Sequence, residues 1–260
     1  MRQLYLIPDF ENIDKTCEQA EKWNAAFEYN DFFYMDLVDD EITLKNRIDF
    51  YKSIQRNRSK DTMHGAFFDL SVSSEDAKIR ELSRMRMRQS MEVASKLSVK
   101  AVIFHTNLIA GFELSSYLER WLFYHTDFLK KLLEEYQGIQ IYVENMFDRT
   151  PNMLEKLARE IDCPGFGICY DVAHGNLGTC RMEEWFDKLH PYMRHLHVND
   201  NDGKSDQHRA VGSGSIDWSK FDFLMRKYKP DAGILAEVSS FEAKAESLHY
   251  MKEKQIYPFW

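Results

Sequence analysis

The densest group of side chains that could do chemistry lies in residues 192–218. This stretch contains three histidines, four aspartates, two asparagines and three glycines. The alternating run 194–198 predicts a strand that places His195, His197 and Asn199 on one face. A polar loop with Asp206 and His208 follows it. A strand that delivers imidazole and carboxylate groups into a loop is typical of a metal site.

Polar residues of the same kinds stand at the ends of the other predicted strands. They are Glu28, His64, His105, Glu144, Asp171, His197 and Glu237, with His174 just beyond the sixth strand. Five of the nine histidines belong to this pattern or to the loop after the seventh strand, whereas His125, His190 and His249 lie in helical segments. Solubility or packing alone does not explain such repetition.

Strands and helices alternate along the whole chain. The predicted strands are 4–7, 25–29, 62–67, 101–105, 140–144, 167–171, 194–198 and 234–238. The predicted helices are 13–24, 42–56, 74–97, 114–136, 153–161, 182–189, 218–228 and 242–254. Eight alternations without a Gly/Ser/Pro-rich linker predict one α/β domain over residues 1–260. The glycine-rich turn of a dinucleotide-binding sheet is missing, so a single (β/α)8 TIM barrel is favoured over an open doubly wound sheet.

In such a barrel the carboxyl ends of the strands meet at one mouth. We therefore predict that Glu144, Asp171, His197 and Glu237 share a divalent ion, because three carboxylates at one mouth would otherwise repel one another. These oxygen and nitrogen ligands suit Mn, Mg, Co or Zn, and no cysteine belongs to the group. The additional candidate metal ligands are His64, His105, His174, Asp206 and His208, and the candidate substrate-binding residues are His64, His105, Lys204 and Arg209.

Some of these residues also have structural interpretations. His195 lies deeper than His197 and is interpreted as a barrel-interior residue. Glu28 stands on a weak strand and is left open, and loop residues such as Asp206 are often only solvated. The aromatic residues Phe67, Phe68 and Trp121 are candidates to stack on a sugar.

Composition argues against several classes of partner without excluding a local basic pocket. The net charge of −8 and the pI of about 5.6 argue against an extended surface for nucleic acid or acidic membranes. The four cysteines form no CxxC pair, which is typical of reduced thiols in a cytoplasmic protein. An uninterrupted apolar run long enough to cross a membrane is missing, and the first residues do not read as a signal peptide. The sequence leaves the oligomeric state open, with a homo-oligomer as one option.

Seven blocks of the sequence resemble one known family, the xylose isomerase-like TIM barrels, which comprise AP endonuclease family 2 and the sugar phosphate isomerases and epimerases. The matching blocks are MHGAF (63–67), VIFHTN (102–107), IYVEN (141–145), CYDVAHGN (169–176), HLHVNDNDGKSDQH (195–208), GSGSIDW (212–218) and ILAEV (234–238). The resemblance implies a divalent ion on Glu144, Asp171, His197 and Glu237. In the epimerase branch the glutamates matching Glu144 and Glu237 also form the acid/base pair.

The same resemblance implies a second activity. Endonuclease IV-type members use nine ligands for three zinc ions, and all nine residue types are present here. They fall on His64, His105, Glu144, Asp171, His174, His197, Asp206, His208 and Glu237. The segment 30–41 nevertheless carries five acidic residues beside the predicted mouth, which would repel a DNA backbone.

The sequence therefore favours an enzyme of carbohydrate metabolism, an isomerase or epimerase of a small keto sugar or sugar phosphate. Glu144 and Glu237 would transfer the proton through an enediolate. Two alternatives stay open at this point. One is a three-zinc phosphodiesterase acting on abasic DNA, and the other is a metal-dependent sugar-binding barrel without catalytic activity.

Overall fold

Eight parallel strands form a closed barrel in the computed structural model, which describes residues 3–238 and 240–260. The strands are β1 Leu4–Leu6, β2 Ala25–Tyr29, β3 Thr62–His64, β4 Ala101–His105, β5 Gln140–Glu144, β6 Phe166–Asp171, β7 Met193–Val198 and β8 Gly233–Ala236. Each strand pairs with the next, and β8 pairs with β1. The predicted (β/α)8 barrel is confirmed.

Helices connect the strands and cover the outside of the barrel. They are α1 Ile13–Trp23, α2 Met35–Asp39, α3 Glu41–Ser53, α4 Ala77–Leu97, α5 Ser115–Glu135, α6 Asn152–Ile161, α7 Val172–Asn176, α8 Met182–Leu189, α9 Trp218–Tyr228 and α10 Phe241–Glu253. A 3-10 turn at Asp31–Phe33 follows β2. Amphipathic spacing explains their packing. In α6, for example, Leu154, Leu157, Ala158 and Ile161 are buried against the strands.

The structure differs from the predicted elements mainly at their ends. The third strand stops at His64 rather than Phe67. At that point a Cβ on Gly65 would lie 2.3 Å from the Phe104 ring, so glycine lets the chain pass close to β4. Two short helices, α2 and α7, and the 3-10 turn were not predicted, because three to five residues are too few to show a helical period.

Within the described ranges, no helix combines the length and the apolar character that a membrane crossing requires.

The helical histidine His125 provides a test of the packing outside the barrel. It is buried, donates from Nδ1 to the Trp121 carbonyl oxygen (2.8 Å) and stacks on the Trp121 ring. Burial lowers the pKa of His125 from 6.5 to about 4. The pKa of His125 is lower in the folded protein than in the unfolded chain. The stabilisation that comes from burying the neutral imidazole is therefore complete above pH 6.5 and is lost as pH falls from 6.5 to 4. The loss is about 3 kcal/mol.

We expect His125→Phe to reduce the acid-induced fall in the free energy of unfolding by this amount, as measured by urea unfolding between pH 4 and 7. His249→Phe is the matched control, since exposed His249 makes the same bond to a carbonyl oxygen four residues earlier. Equal pH profiles for the two variants would contradict the prediction.

Candidate metal centre

The structure brings all nine predicted metal ligands together at the carboxyl ends of β3 to β8. They form three donor sets, in each of which one ligand atom per residue lies within 4.8 Å of the others. The first set is His64, His105 and Glu144; the central set is Glu144, Asp171, His197 and Glu237; the outer set is His174, Asp206 and His208. Glu144 belongs to both the first and the central set. Residues from 64 to 237 thus meet at one rim.

The central set is arranged around the Nδ1 atom of His197. This atom lies 3.1 Å from a carboxylate oxygen of Glu144 and 3.1 Å from one of Glu237. Two ligands on one tetrahedral zinc, with bonds of about 2.0–2.2 Å, stand about 3.3 Å apart, so the spacing suits a shared ion. His197 Nδ1 and both Glu144 carboxylate oxygens are buried without a hydrogen-bond partner among the described residues. Such orphaned polar atoms fit a divalent cation.

The charges of the central set are strongly interdependent. Burial would raise the pKa of Glu144, but His197 and the other neighbouring histidines hold this pKa well below its usual range. Burial would likewise lower the pKa of His197, yet the surrounding acidic groups raise it well above its usual value. Burial dominates at Asp171, where it raises the pKa to about 6. An ion would take the place of the proton that His197 carries.

The first set holds two nearly perpendicular imidazoles whose Nε2 atoms are in contact. The Nε2 atoms of His64 and His105 are 3.0 Å apart, and they lie 3.7 and 3.5 Å from Glu144 Oε2. His64 donates from Nδ1 to the Gly65 carbonyl oxygen (2.9 Å), and Nδ1 of His105 lies 3.1 Å from the Met146 sulfur. These contacts leave both Nε2 lone pairs pointing at each other, which requires a proton or a cation between them.

The outer set opens towards solvent. Asp206 Oδ2 lies 3.4 Å from His174 Nε2 and 3.2 Å from His208 Nε2. The Nδ1 atoms of His174 and His208 donate to the backbone carbonyl oxygens of Asn145 and Glu237, both at 2.9 Å. Burial would lower the pKa of His208, but its hydrogen bond with Asp206 raises it to about 10. The Nε2 atoms of His174 and His208 face Asp206, and a metal bound there would take the place of their protons.

The short helix α7 explains how Asp171 and His174 are held. Asp171 caps the helix, because its Oδ1 accepts a hydrogen bond from the His174 backbone N–H (2.6 Å). Asn145 fixes the backbone of Asp171 from β5, accepting from its N–H and donating to its carbonyl. The strand-to-helix turn therefore aims one carboxylate at the central set and one imidazole at the outer set.

The loop after β7 is organised by a buried carboxylate, Asp200. It accepts hydrogen bonds from four N–H groups, those of Asn201 (3.0 Å), Gly212 (3.0 Å), Ile216 (3.2 Å) and the Trp218 indole (2.8 Å). Its backbone also pairs with Arg209 in an isolated antiparallel bridge. A Cβ at Gly214 would lie 2.3 Å from Asp200 Oδ1, so this turn needs glycine. The loop holding Asp206 and His208 is thus closed at its base.

Other predicted contacts differ from the structure. Trp121 is fully buried and donates to the Thr106 carbonyl oxygen, so its predicted stacking on a sugar is wrong. Lys204 is exposed, and the Arg209 guanidinium donates to the Ser213 carbonyl. Because neither placement tests binding, their role with substrate stays a prediction. Phe67 packs at 4.3 Å from the His105 ring, whereas Phe68 is 60% exposed at the rim.

The acidic segment 30–41 is partly neutralised. Asp31 pairs with Arg47, Asp39 pairs with Arg86, and Asp40 caps α3 by accepting from the Thr43 N–H. Three of its five acidic side chains therefore have intramolecular partners. This weakens the sequence-based argument against nucleic acid.

The structure adds Cys169 to the centre and places Glu28, whose role the sequence leaves open, directly beside it. Cys169 lies with Glu144 and His197, within 4.8 Å by ligand atoms, so the expectation that no cysteine belongs to the group is wrong. The alternation of β6 could have indicated this, since residues 169 and 171 share a face. Glu28 touches both His195 and His197 from β2 at 2.9 Å. The interior position predicted for His195 agrees with its complete burial.

Comparison with known proteins supports this picture. A family model described as "Xylose isomerase-like TIM barrel" matches residues 20–254. An uncharacterized protein of Methanocaldococcus jannaschii is 28% identical over 203 residues, covering 74% of this chain and 68% of the relative. A protein named probable endonuclease 4 from Mycobacterium ulcerans is 24% identical over 200 residues, covering 71% of this chain and 75% of the relative.

Solved structures share the fold. A D-tagatose 3-epimerase-like protein superimposes with a TM-score of 0.76 at 22% identity, with 97% of both chains covered. The structure titled "IOLI protein with a binding zinc atom" gives a TM-score of 0.73 at 14% identity, with 98% of both chains covered. At these identities the similarity shows the fold alone.

Proposed function

Because the chain belongs to the xylose isomerase-like TIM barrel family, we propose that it is a metal-dependent phosphodiesterase with three ions at the barrel mouth and abasic DNA as its candidate substrate. The observation that carries the proposal is the set of nine donors in three groups. A single-ion isomerase needs only the central set, whereas three groups, two of which share Glu144, suit three ions. The relative named probable endonuclease 4 supports this substrate class.

Each of the three ions would have its own donor set. His64, His105 and Glu144 would hold the first, Glu144, Asp171, His197 and Glu237 the second, and His174, Asp206 and His208 the third. Zinc can be bound by imidazole and carboxylate ligands alone, without a thiolate. When bound, the ions would polarise phosphoryl oxygens and lower the pKa of a water molecule.

The chain's own residues prepare the site. Carbonyl oxygens fix His64, His174 and His208 in one tautomer, so their free nitrogens are directed without reorganisation. The exposed Tyr34 and Phe68, each 60% exposed on neighbouring loops, offer aromatic surface for a base beside the reacting phosphate. The partial neutralisation of segment 30–41 lowers the repulsion that a phosphate backbone would meet at this rim.

A second candidate is the isomerase or epimerase reaction on a small keto sugar. Glu144 and Glu237 favour it, because their carboxylates approach the same His197 nitrogen at 3.1 Å and so flank one position. One glutamate would take the proton next to a carbonyl and the other would return it. His64 and His105 would then orient substrate hydroxyls.

Elemental analysis of protein purified without chelator, together with two activity assays, tests the proposal. We expect three zinc ions per chain and incision of an abasic duplex that weakens steeply as salt increases. Asp206→Asn should remove the outer ion and abolish incision, because Asp206 joins His174 and His208. One ion per chain, with turnover of a keto sugar that Asp206→Asn leaves intact, would instead establish the second candidate.

A further inference from the structure

Glu28 is a fully buried carboxylate below the metal centre, at the far side of His197 from the mouth. Its Oε1 accepts from His197 Nε2 (2.9 Å), and its Oε2 lies 2.9 Å from His195 Nε2 and accepts from the Thr62 hydroxyl (2.6 Å). Both histidines are completely buried as well. A carboxylate buried this deeply in a barrel is tolerated only with polar partners such as these.

Glu28 holds His197 by a hydrogen bond. The 2.9 Å separation of Glu28 Oε1 from His197 Nε2 is that of a charge-assisted hydrogen bond. His195 Nε2 lies equally close to Oε2 but without hydrogen-bond geometry. Glu28 and His197 therefore form a hydrogen-bonded pair, with Thr62 and His195 against the second carboxylate oxygen.

The hydrogen bond with Glu28 determines which nitrogen of His197 faces the mouth. Because Nε2–H is donated to Glu28, Nδ1 is the nitrogen that points at Glu144 and Glu237. With the proton on Nδ1 instead, His197 could not bind an ion. His64, His174 and His208 use backbone carbonyl oxygens for this purpose, and His105 faces the Met146 sulfur. His197 is therefore distinguished by an anionic partner, which raises the basicity of the facing nitrogen.

We infer that Glu28 is a positioning residue for the central ion, acting through His197, and that His195 and Thr62 hold Glu28 in place. The inference rests on the metal centre of the proposed function. It concerns only the central set, since the contacts of Glu28 run to His197 and not to the outer set.

The test is Glu28→Gln, which keeps the shape but replaces one acceptor oxygen with an amide donor. If the amide faces Nε2 of His197, the proton moves to Nδ1 and coordination is lost. We expect the affinity of the central ion to fall 10- to 100-fold, with the outer ion unchanged, in zinc titrations against a competing chelator. Nitrogen NMR of the zinc-loaded protein should show the Nε2 proton of His197 in the wild type and its loss or displacement in the variant.

Asp61→Asn is the matched control for removing a buried charge. Asp61 is also fully buried, at the start of β3, and accepts from the Phe27 N–H (2.9 Å) and the Tyr29 hydroxyl (2.8 Å) while pairing with Arg56. We expect this variant to unfold at lower urea concentration yet bind zinc as the wild type does. Wild-type zinc affinity in Glu28→Gln, or an equal loss in both variants, would overturn the inference. If the wild-type chain binds no zinc, both the inference and the proposed metal centre are wrong.

Discussion

Replacing Glu144 with glutamine is expected to lower the rate of abasic-site incision about 10³-fold or more and to reduce the zinc content by two ions. The reason is its position between the donor sets. Its Oε2 lies 3.1 Å from His197 Nδ1 and 3.5 Å from His105 Nε2, and its Oε1 lies 3.3 Å from His174. Glutamine preserves the volume but supplies only one ligand oxygen and no charge.

Two further variants make this prediction specific. Glu237→Gln should remove only the central ion, because Glu237 belongs only to the central set. Glu155→Gln, on the surface of α6 beside Arg159 and Lys188, should leave both activity and zinc content unchanged. Elemental analysis and single-turnover incision are the measurements. Three ions and near-normal incision in Glu144→Gln would refute a shared carboxylate.

The barrel and its mouth could be predicted from the sequence because both depend on local patterns. The run Ala101–His105 is apolar until its last residue, and the observed strand has the same limits as the predicted one. Likewise Gln140–Glu144 ends on the candidate ligand Glu144. Once eight such strands close into a ring, polar residues at their carboxyl ends must converge. Neither step requires knowledge of a distant contact.

The supporting contacts could not be predicted in this way. Glu28 and His197 are separated by 169 positions, and nothing local to either residue indicates their hydrogen bond. The tautomers of His174 and His208 depend on carbonyl oxygens of other loops. Helix α7 escaped prediction because five residues show no period. The sequence therefore indicates which groups could bind ions, whereas the packing decides which nitrogen each imidazole presents.

The loop after β7 shows how this packing can be tested. Asp200→Asn is expected to lower the free energy of unfolding of the ion-free protein by about 3 kcal/mol, since hydrogen bonds to a charged group contribute roughly 1.5–3 kcal/mol each. In the variant, the asparagine NH2 group would face two of the four N–H groups that now donate to the carboxylate. The loop after β7 would then open, and the outer set would lose the geometry that joins Asp206 to His174 and His208.

Asp202→Asn, two residues away, separates this effect from a general loss of charge. Exposed Asp202 accepts from the Lys204 N–H (2.9 Å) and the Ser205 N–H (3.1 Å), so its replacement should lower the free energy of unfolding far less than Asp200→Asn does. Urea unfolding without ions and chelator competition with zinc measure the two consequences of each variant. If Asp200→Asn matches Asp202→Asn in both, the loop is held by its backbone bridge to Arg209. The outer ion would then not depend on the buried carboxylate beneath it.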